Sequence, residues 1–277
     1  IDDIPFSVNL RVNIDARNQE SIFALIDDLD VRGLGGKTIG MYFAPVEATT
    51  SGCSHVSDLT MTKSDYASLE TALFQYAYAR KLATFPFPPR FMGLCGALRP
   101  KALVVTPSGD VHKCWDTVSF PHQRVGSILD TSTLESNPLN AAWNAWTPFA
   151  NSSCRNCKIL PTCTGSCAYK FVHASETQGE AAVLPCPSWK FSIKERLLQH
   201  AHLNGFITAE QIPPGQVTDP NELCCFEPTG PVEGLPDKIL AAKAASYARA
   251  GRRVIPLPVL AGPREAAPLI DAAVPAW

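Results

Sequence analysis

The stretch that decides the fold is Cys154-Arg-Asn-Cys157-Lys-Ile-Leu-Pro-Thr-Cys163-Thr-Gly-Ser-Cys167, a C-x2-C-x5-C-x3-C pattern. Three further cysteines frame it, namely Cys95, Cys114 and Cys186. Thiolates are soft metal ligands, and two in a Cys-x-x-Cys turn reach one metal centre without strain. The stretch is rich in turn residues, and its own side chains cannot form a core. The seven cysteines therefore indicate either a metal framework or a set of disulfides.

Composition and charge narrow the class of protein. The chain has 277 residues, of which 45% are hydrophobic and 18% charged, as in a globular protein with about two folded units. A formal net charge of -2 gives no electrostatic reason to expect nucleic acid. No apolar run approaches the roughly 20 residues of a membrane span, and no signal-peptide pattern is present. We therefore expect a cytoplasmic protein without a membrane partner, in which cysteines serve more often as metal ligands than in disulfides.

The N-terminal residues predict a strand, a helix and a second strand. Apolar and polar residues alternate from Phe6 to Asp15, Asn18 is a candidate helix cap before apolar residues at helical spacing, and a strand follows from Thr38 to Val46. Such βα units have parallel strands and right-handed crossovers. The polar face of the first strand suggests a barrel lumen, although an antiparallel edge strand with one wet face explains it as well.

The middle of the chain predicts a helix and a hairpin. Ser64 is a candidate cap for a helix in which apolar residues recur at helical spacing as a stripe along one face. The Pro-rich segment 85–90 cannot continue that helix, so we place a domain boundary there. Residues 102–106 and 111–114 form a predicted hairpin around Gly109, which places Cys114 at its end.

The remaining segments carry weaker signals. Short helices are expected within 126–149, turns in the cysteine stretch, and a helix from Phe191 to Leu203. The tail from residue 205 to 277 is largely without a pattern, apart from one candidate helix at 237–249.

Three interpretations of the cysteines remain open at this point. Disulfide density of this kind is typical of small extracellular domains that lack a core, whereas a βα unit and several helices precede these cysteines. A structural zinc site at Cys154, Cys157, Cys163 and Cys167 would have suitable spacing but would leave the other three cysteines unexplained. Two cubane clusters would use all seven thiolates and would leave one cluster a ligand short.

The pattern Cys95-x13-Gly109-x4-Cys114, then 154–167, then Cys186 resembles the seven-cysteine signature of the SPASM domain over about residues 90–200. SPASM domains hold auxiliary clusters at the C-terminus of many radical S-adenosylmethionine enzymes, which include peptide and protein maturases. Residues 1–88 resemble more weakly the later βα units of the partial (β/α)6 barrel in those enzymes. The fold implied is α/β, with part of a radical SAM barrel at 1–88, a cysteine-rich hairpin/helix SPASM domain at 89–204 and an irregular tail at 205–277.

The resemblance also implies cofactors and ligands. Two auxiliary [4Fe-4S] clusters are expected, the first on Cys95, Cys114 and Cys167 and the second on a four-cysteine set. The second set comprises Cys154, Cys157, Cys163 and Cys186. The polar strand face would place Arg11 and Asn13 near S-adenosylmethionine. Asp116 is the candidate catalytic residue, because it lies near the position of a proton-accepting Asp in sulfatase maturases. An offset of one residue favours the alternative, in which its side chain points elsewhere as an ordinary solvated acid.

One motif of the radical S-adenosylmethionine enzymes is absent. Their catalytic cluster binds a Cys-x3-Cys-x2-Cys loop, which occurs nowhere in this sequence. Because the chain starts at Ile1 within a strand-like pattern, we expect that loop, and a third [4Fe-4S] cluster, in a longer parent. Cys53 with His55 is a candidate for the missing ligand. Cys224 and Cys225 stay unassigned, and two histidines that flank the hairpin, His112 and His122, are interpreted as structural.

The sequence thus yields three functional hypotheses. In the first, the parent enzyme abstracts hydrogen from a peptide or protein substrate, and electrons pass through the auxiliary clusters from a donor such as ferredoxin or flavodoxin. In the second, the chain is a non-catalytic iron–sulfur module for electron transfer or peptide binding. In the third, it is a zinc-binding interaction domain.

Overall fold

A parallel strand pair opens the described part of the chain, which in this computed structural model comprises residues 8–36, 39–84, 94–215 and 218. Strand β1 (Val8–Ile14) pairs with β2 (Ile39–Pro45), and helix α1 (Ser21–Val31) connects them. The polar positions of β1 are exposed, and Ile14 at its end is fully buried. The predicted βα unit with parallel strands is therefore confirmed.

Helix α2 (Lys63–Ala79) follows a 3-10 helix (Ser51–Leu59) and covers this pair. Leu73 and Phe74 of α2 pack with Met41 and Phe43 of β2 in one buried cluster. The predicted apolar stripe implied one covered face, but α2 is buried around most of its circumference, including the polar side chain of Glu70. A second set of elements must therefore cover its other face.

The cysteine-rich part supplies that cover and is built from short elements. Its sheet has three strands in the order β3-β4-β5, all antiparallel. The strands are β3 (Val104–Val105), β4 (Asp110–His112) and β5 (Gly126–Ser127). The α-helices are α3 (Pro138–Ala145), α4 (Ser152–Arg155), α5 (Leu160–Cys163), α6 (Tyr169–Val172), α7 (Gly179–Val183) and α8 (Ile193–Leu203). The 3-10 helices of this part are Gly96–Leu98, Trp115–Thr117, Pro121–Gln123, Thr131–Thr133, Ser188–Ser192 and Ala209–Gln211.

Buried contacts join α2 to the cysteine-rich part. Ala67 of α2 packs with Leu184 and Phe191. The guanidinium of Arg196 on α8 forms an ion pair with the Glu70 carboxylate, and their side chains are 3% and 11% exposed. Charges at such depth require a partner, so this pair fixes α8 against α2.

Several sequence-based expectations need correction. Asn18 does not cap α1, because its side-chain oxygen accepts a hydrogen bond from the backbone N–H of Asp15 instead. Thr62, not Ser64, caps α2, by accepting from the N–H of Asp65. The hairpin is present but is extended by a third strand that the sequence did not predict. The cysteine stretch, expected to be turns, contains two short helices.

The finer architecture stays a prediction. The described chain is mixed α/β with two small sheets, and no closed barrel is found among its described strands. The Pro-rich boundary at 85–90, the candidate helix at 237–249, Cys224 and Cys225 lie outside the described residues. No helix in the described ranges combines the length and the apolar character that crossing a membrane requires.

Candidate functional site

The cysteines form two separate groups in space. Cys95, Cys114 and Cys167, here called the three-thiol group, pack against one buried cluster that contains Trp143 and Tyr169. The other four of the seven cysteines form the four-thiol group, in which neighbouring thiols raise the pKa of Cys154. Its members are Cys154, Cys157, Cys163 and Cys186. This division coincides with the two ligand sets that the resemblance implies.

Short-range structure brings the three-thiol group together. Cys95 precedes the 3-10 helix Gly96–Leu98, and Cys114 lies two residues after β4. Cys167 precedes α6, whose Tyr169 is 1% exposed. Burial raises the pKa of the Cys114 thiol to about 12 and also raises the pKa of Cys167. A buried thiol of this kind loses its proton only when a cation or a metal compensates for the lost hydration.

The four-thiol group lies where α4, α5 and the segment before Ser188 meet. Asn151 caps α4 by accepting from the N–H of Cys154, and Cys163 is the last residue of α5. Cys157 and Cys163 pack against Ile159 and Ile193. Burial and the neighbouring thiols raise the pKa of Cys154 to about 12, and burial raises that of Cys163 to about 11.

The backbone between Cys163 and Cys167 is unusual. Thr164, Gly165 and Ser166 have φ values of 49°, 87° and 51°, a left-handed run that costs free energy at the two non-glycine positions. A side chain at position 165 would also collide with Trp146 and Pro148. Left-handed turns of this kind point backbone N–H groups toward anions.

Backbone amides in this turn and elsewhere donate to sulfur. The N–H of Gly165 donates to Cys163, and the N–H of Asp116 donates to Cys114. Cys167 accepts from the N–H groups of Tyr169 and Lys170. Each bond lowers the pKa of its thiol and so favours the thiolate, the form that binds metals.

Asp116 is directed at the three-thiol group. The Cys114 Sγ donates to its Oδ2 at 3.6 Å, and the side chain is half-buried. Burial raises the pKa of this carboxyl above its usual value, with Cys114 and Lys170 opposing the shift. The expectation that the one-residue offset turns Asp116 away into solvent was therefore wrong, because the 3-10 turn after Cys114 brings it back toward the sulfur.

Two buried lysines and one glutamate connect the thiol groups to strand β2. Glu47, two residues after β2, accepts from Lys170 Nζ at 2.9 and 2.8 Å. Lys63 Nζ lies 3.7 Å from the same carboxylate and donates to the carbonyls of Leu184 and Cys186, the latter at 2.6 Å. The two lysine side chains are only 6% and 7% exposed.

This charge cluster has shifted protonation equilibria. Burial and the neighbouring Lys170 lower the pKa of Lys63 to about 8, against the pull of Glu47. Burial raises the pKa of Glu47, but the ammonium groups of Lys170 and Lys63 outweigh it and hold the carboxyl below its usual value. The cluster therefore brings positive charge close to Cys167 on one side and to the carbonyl of Cys186 on the other.

A third buried lysine contacts the four-thiol group directly. The Nζ of Lys190 donates to Cys186 Sγ at 3.6 Å, and Lys190 is 1% exposed. Its charge lowers the pKa of Cys154 and of Cys163, against the larger effect of their burial. One ammonium thus acts on three of the four sulfurs.

The other predicted site residues have local hydrogen-bond partners or are exposed. Arg11 and Asn13 are exposed on β1, where Arg11 Nε donates to Asn13 Oδ1 at 2.9 Å. The sulfur of Cys53 accepts from the Thr50 hydroxyl at 3.7 Å, and His55 is exposed in the same 3-10 helix. The S-adenosylmethionine contacts and the extra ligand therefore stay predictions.

The two histidines beside the hairpin have protein partners. His112 is buried, and its Nδ1 lies 3.1 Å from the Thr117 hydroxyl. That hydroxyl in turn donates to the carbonyl of Cys114 at 2.6 Å, so His112 supports the turn that presents the cysteine. His122 is exposed and lies 2.6 Å from a carboxylate oxygen of Glu176.

A cavity of about 60 Å³ lies at the carboxyl end of β2, between Glu47, Tyr66 and Glu180. Carboxyl ends of parallel strands are where α/β proteins commonly bind ligands. Small-molecule sites are usually roughly 300–1,000 Å³, so this cavity as it stands accommodates only a few water molecules.

None of the eight cysteines in the described ranges forms a disulfide. Within the same ranges, no three side chains of His, Cys, Asp or Glu converge closely enough to hold a single metal ion. The donor chemistry nevertheless fits an iron–sulfur cluster in kind, because soft sulfur ligands, backbone amide donors and nearby ammonium groups occur together.

Sequence reasoning missed Lys63, Lys170, Lys190 and Glu47. A single lysine carries no periodic signal, and Lys63 begins α2, where the helix dipole disfavours a cation. The one available sign was spacing, because Lys170 follows Cys167 by three residues and Lys190 follows Cys186 by four. Comparisons with protein-family models, with curated proteins and with solved structures found no match to this chain.

Proposed function

We propose that this chain is the auxiliary-cluster portion of a radical S-adenosylmethionine enzyme that modifies a peptide or protein. The observation that carries the proposal is the separation of seven cysteines into a three-thiol and a four-thiol group. This is the division expected for two [4Fe-4S] clusters with different ligand sets. When bound, such clusters accept and donate single electrons.

The surroundings of the sulfurs support cluster binding over a purely structural role. Backbone N–H groups donate to Cys114, Cys163 and Cys167, and hydrogen bonds to sulfur are among the interactions by which proteins tune iron–sulfur centres. An ordinary buried cysteine requires no such donors, since it packs as a small apolar side chain.

The two groups have unequal donor sets. The four-thiol group can supply a complete set of four ligands from cysteine alone, whereas the three-thiol group leaves one iron for another ligand. The Asp116 carboxylate accepts a hydrogen bond from Cys114, a member of that group. We assign Asp116 the role of a proton-accepting or iron-facing carboxylate at the three-thiol group.

In this proposal the chain transfers electrons and positions the substrate, but it does not cleave S-adenosylmethionine. That cleavage requires the Cys-x3-Cys-x2-Cys loop, which the sequence lacks. The partners proposed are a peptide or protein substrate and a reducing protein such as ferredoxin or flavodoxin. The same two thiol groups also support a second candidate, a non-catalytic iron–sulfur module for electron transfer or peptide binding.

Metal analysis of the anaerobically purified chain tests the proposal. We expect a brown protein with about eight iron and about eight sulfide per chain, four of each for every cluster. C157A, which removes one member of the four-thiol group, should lose about half of both. R155A is the matched control and should retain all of the iron, because Arg155 lies between Cys154 and Cys157 in the sequence but is exposed and is not a thiol.

Two outcomes would contradict the proposal. A colourless protein that holds only zinc would replace both clusters with a zinc-binding interaction domain. Full iron content in C157A would refute the assignment of the four-thiol group. A longer chain that includes the missing loop then separates the enzyme from the non-catalytic module. If the chain is part of the enzyme, the reduced longer chain should modify a peptide; if it is the non-catalytic module, no peptide should be modified.

A further inference from the structure

Each thiol group has a buried lysine beside it, but only one of these lysines has its ammonium on a sulfur atom. Lys170, near Cys167, has its Nζ bound to both oxygens of Glu47. Lys190 instead donates from Nζ to Cys186 Sγ at 3.6 Å. Lys190 therefore brings an ammonium group directly to a sulfur of the four-thiol group.

Lys190 is held in this position by the surrounding structure. It lies in the 3-10 helix Ser188–Ser192, four residues after Cys186, and it is 1% exposed. The next residue, Phe191, is buried against Ala67 and Leu184, which fixes the segment on helix α2. A long side chain with little rotational freedom thus directs its charge at the sulfur and away from solvent.

We propose that Lys190 is a redox-tuning residue that raises the reduction potential of the cluster held by the four-thiol group. This inference rests on the proposed function. Taking up one electron makes a thiolate-bound cluster more negative by one charge. An ammonium that keeps its proton in both states interacts more strongly with the reduced form, and low exposure limits screening by water.

A redox titration of the whole chain, followed by electron paramagnetic resonance, tests the inference. In the wild type we expect two one-electron transitions. K190M should move only one of them to lower potential, with at least a tenfold lower ratio of reduced to oxidised cluster at a fixed potential, or about 59 mV. K190R, which keeps the charge, should leave both transitions in place.

The matched control is K158M. Lys158 adjoins Cys157 in the sequence but is exposed, so the same change of charge should be screened by water. Iron and sulfide analysis and circular dichroism of each variant confirm that the cluster and the fold are retained, and K190Q replaces K190M if methionine loses iron.

The outcomes separate this inference from the proposed function. Unchanged transitions in K190M, or an equal shift in K158M, would overturn the tuning role while the two clusters remain established. A wild-type chain without iron and sulfide would overturn the proposed function and the tuning role together. A shift confined to one transition in the neutral Lys190 variants supports both.

Discussion

Removing the charge of Glu70 should destabilise the whole described fold, because its partner Arg196 would stay buried. The two side chains are 11% and 3% exposed, and they join α2 to α8. Leaving one member of a buried pair uncompensated costs about 3–5 kcal/mol. With a urea dependence of about 1–3 kcal/mol per molar, E70Q should lower the unfolding midpoint by about 1–5 M.

Replacing the other partner, Arg196, should make the loss of stability depend on pH. Burial raises the pKa of Glu70 and Arg196 opposes that shift, so R196M leaves a carboxyl that takes up a proton. A raised pKa in the folded state means stability that is present at low pH and lost as pH rises. R196M should therefore be less destabilised at about pH 5 than at about pH 8, whereas E70Q should show no such recovery.

Urea denaturation followed by circular dichroism measures both effects, and R32M is the matched control. Arg32 pairs with Asp28 at 2.7 Å, but the side chains are 66% and 54% exposed, so the loss of this pair should leave the unfolding midpoint nearly unchanged. A cost below about 1 kcal/mol for E70Q would refute the burial argument.

Two more predictions concern the thiol groups. W143A should lower the free energy of unfolding by about 3–5 kcal/mol in urea denaturation, because Trp143 is 1% exposed and packs with the three-thiol group. A loss under about 1 kcal/mol would contradict this packing. The metal-free chain should lose stability as pH rises above 9.0, the ordinary value for a cysteine, because the pKa of Cys154 is raised to about 12 in the folded state. Thermal melts across this range measure the loss, and a gain in stability would show the reverse shift.

Local periodicity predicted the elements that border a core. The alternation in β1 and the helical spacing in α1 identified both elements, because each has one face against the same cluster. Strand β5 has two residues and no period, so only its pairing with β4 defines it. The caps were misplaced because Asp15, Asn18, Thr62 and Ser64 are all capping residue types, and the entry geometry of the chain selects among them.

The candidate site was likewise predicted only in part from the sequence. The spacing of the cysteines and the resemblance it carries gave the two sets that the structure groups in space, while the ligand assignment itself stays a prediction. The buried lysines had no comparable signal. Lys170 is buried because Glu47, 123 residues earlier, accepts its charge, and such a pairing is invisible to patterns along the chain.

The burial of α2 on both faces has a consequence for modularity. Lys63 and Glu70 belong to the βα part by sequence, yet they end on the carbonyl of Cys186 and on Arg196. The cysteine-rich part therefore does not form an independent unit. Without α2, Arg196 and the carbonyl of Cys186 would lose the partners that Glu70 and Lys63 provide. In an evolving lineage, a helix of this kind obliges the two halves to change together.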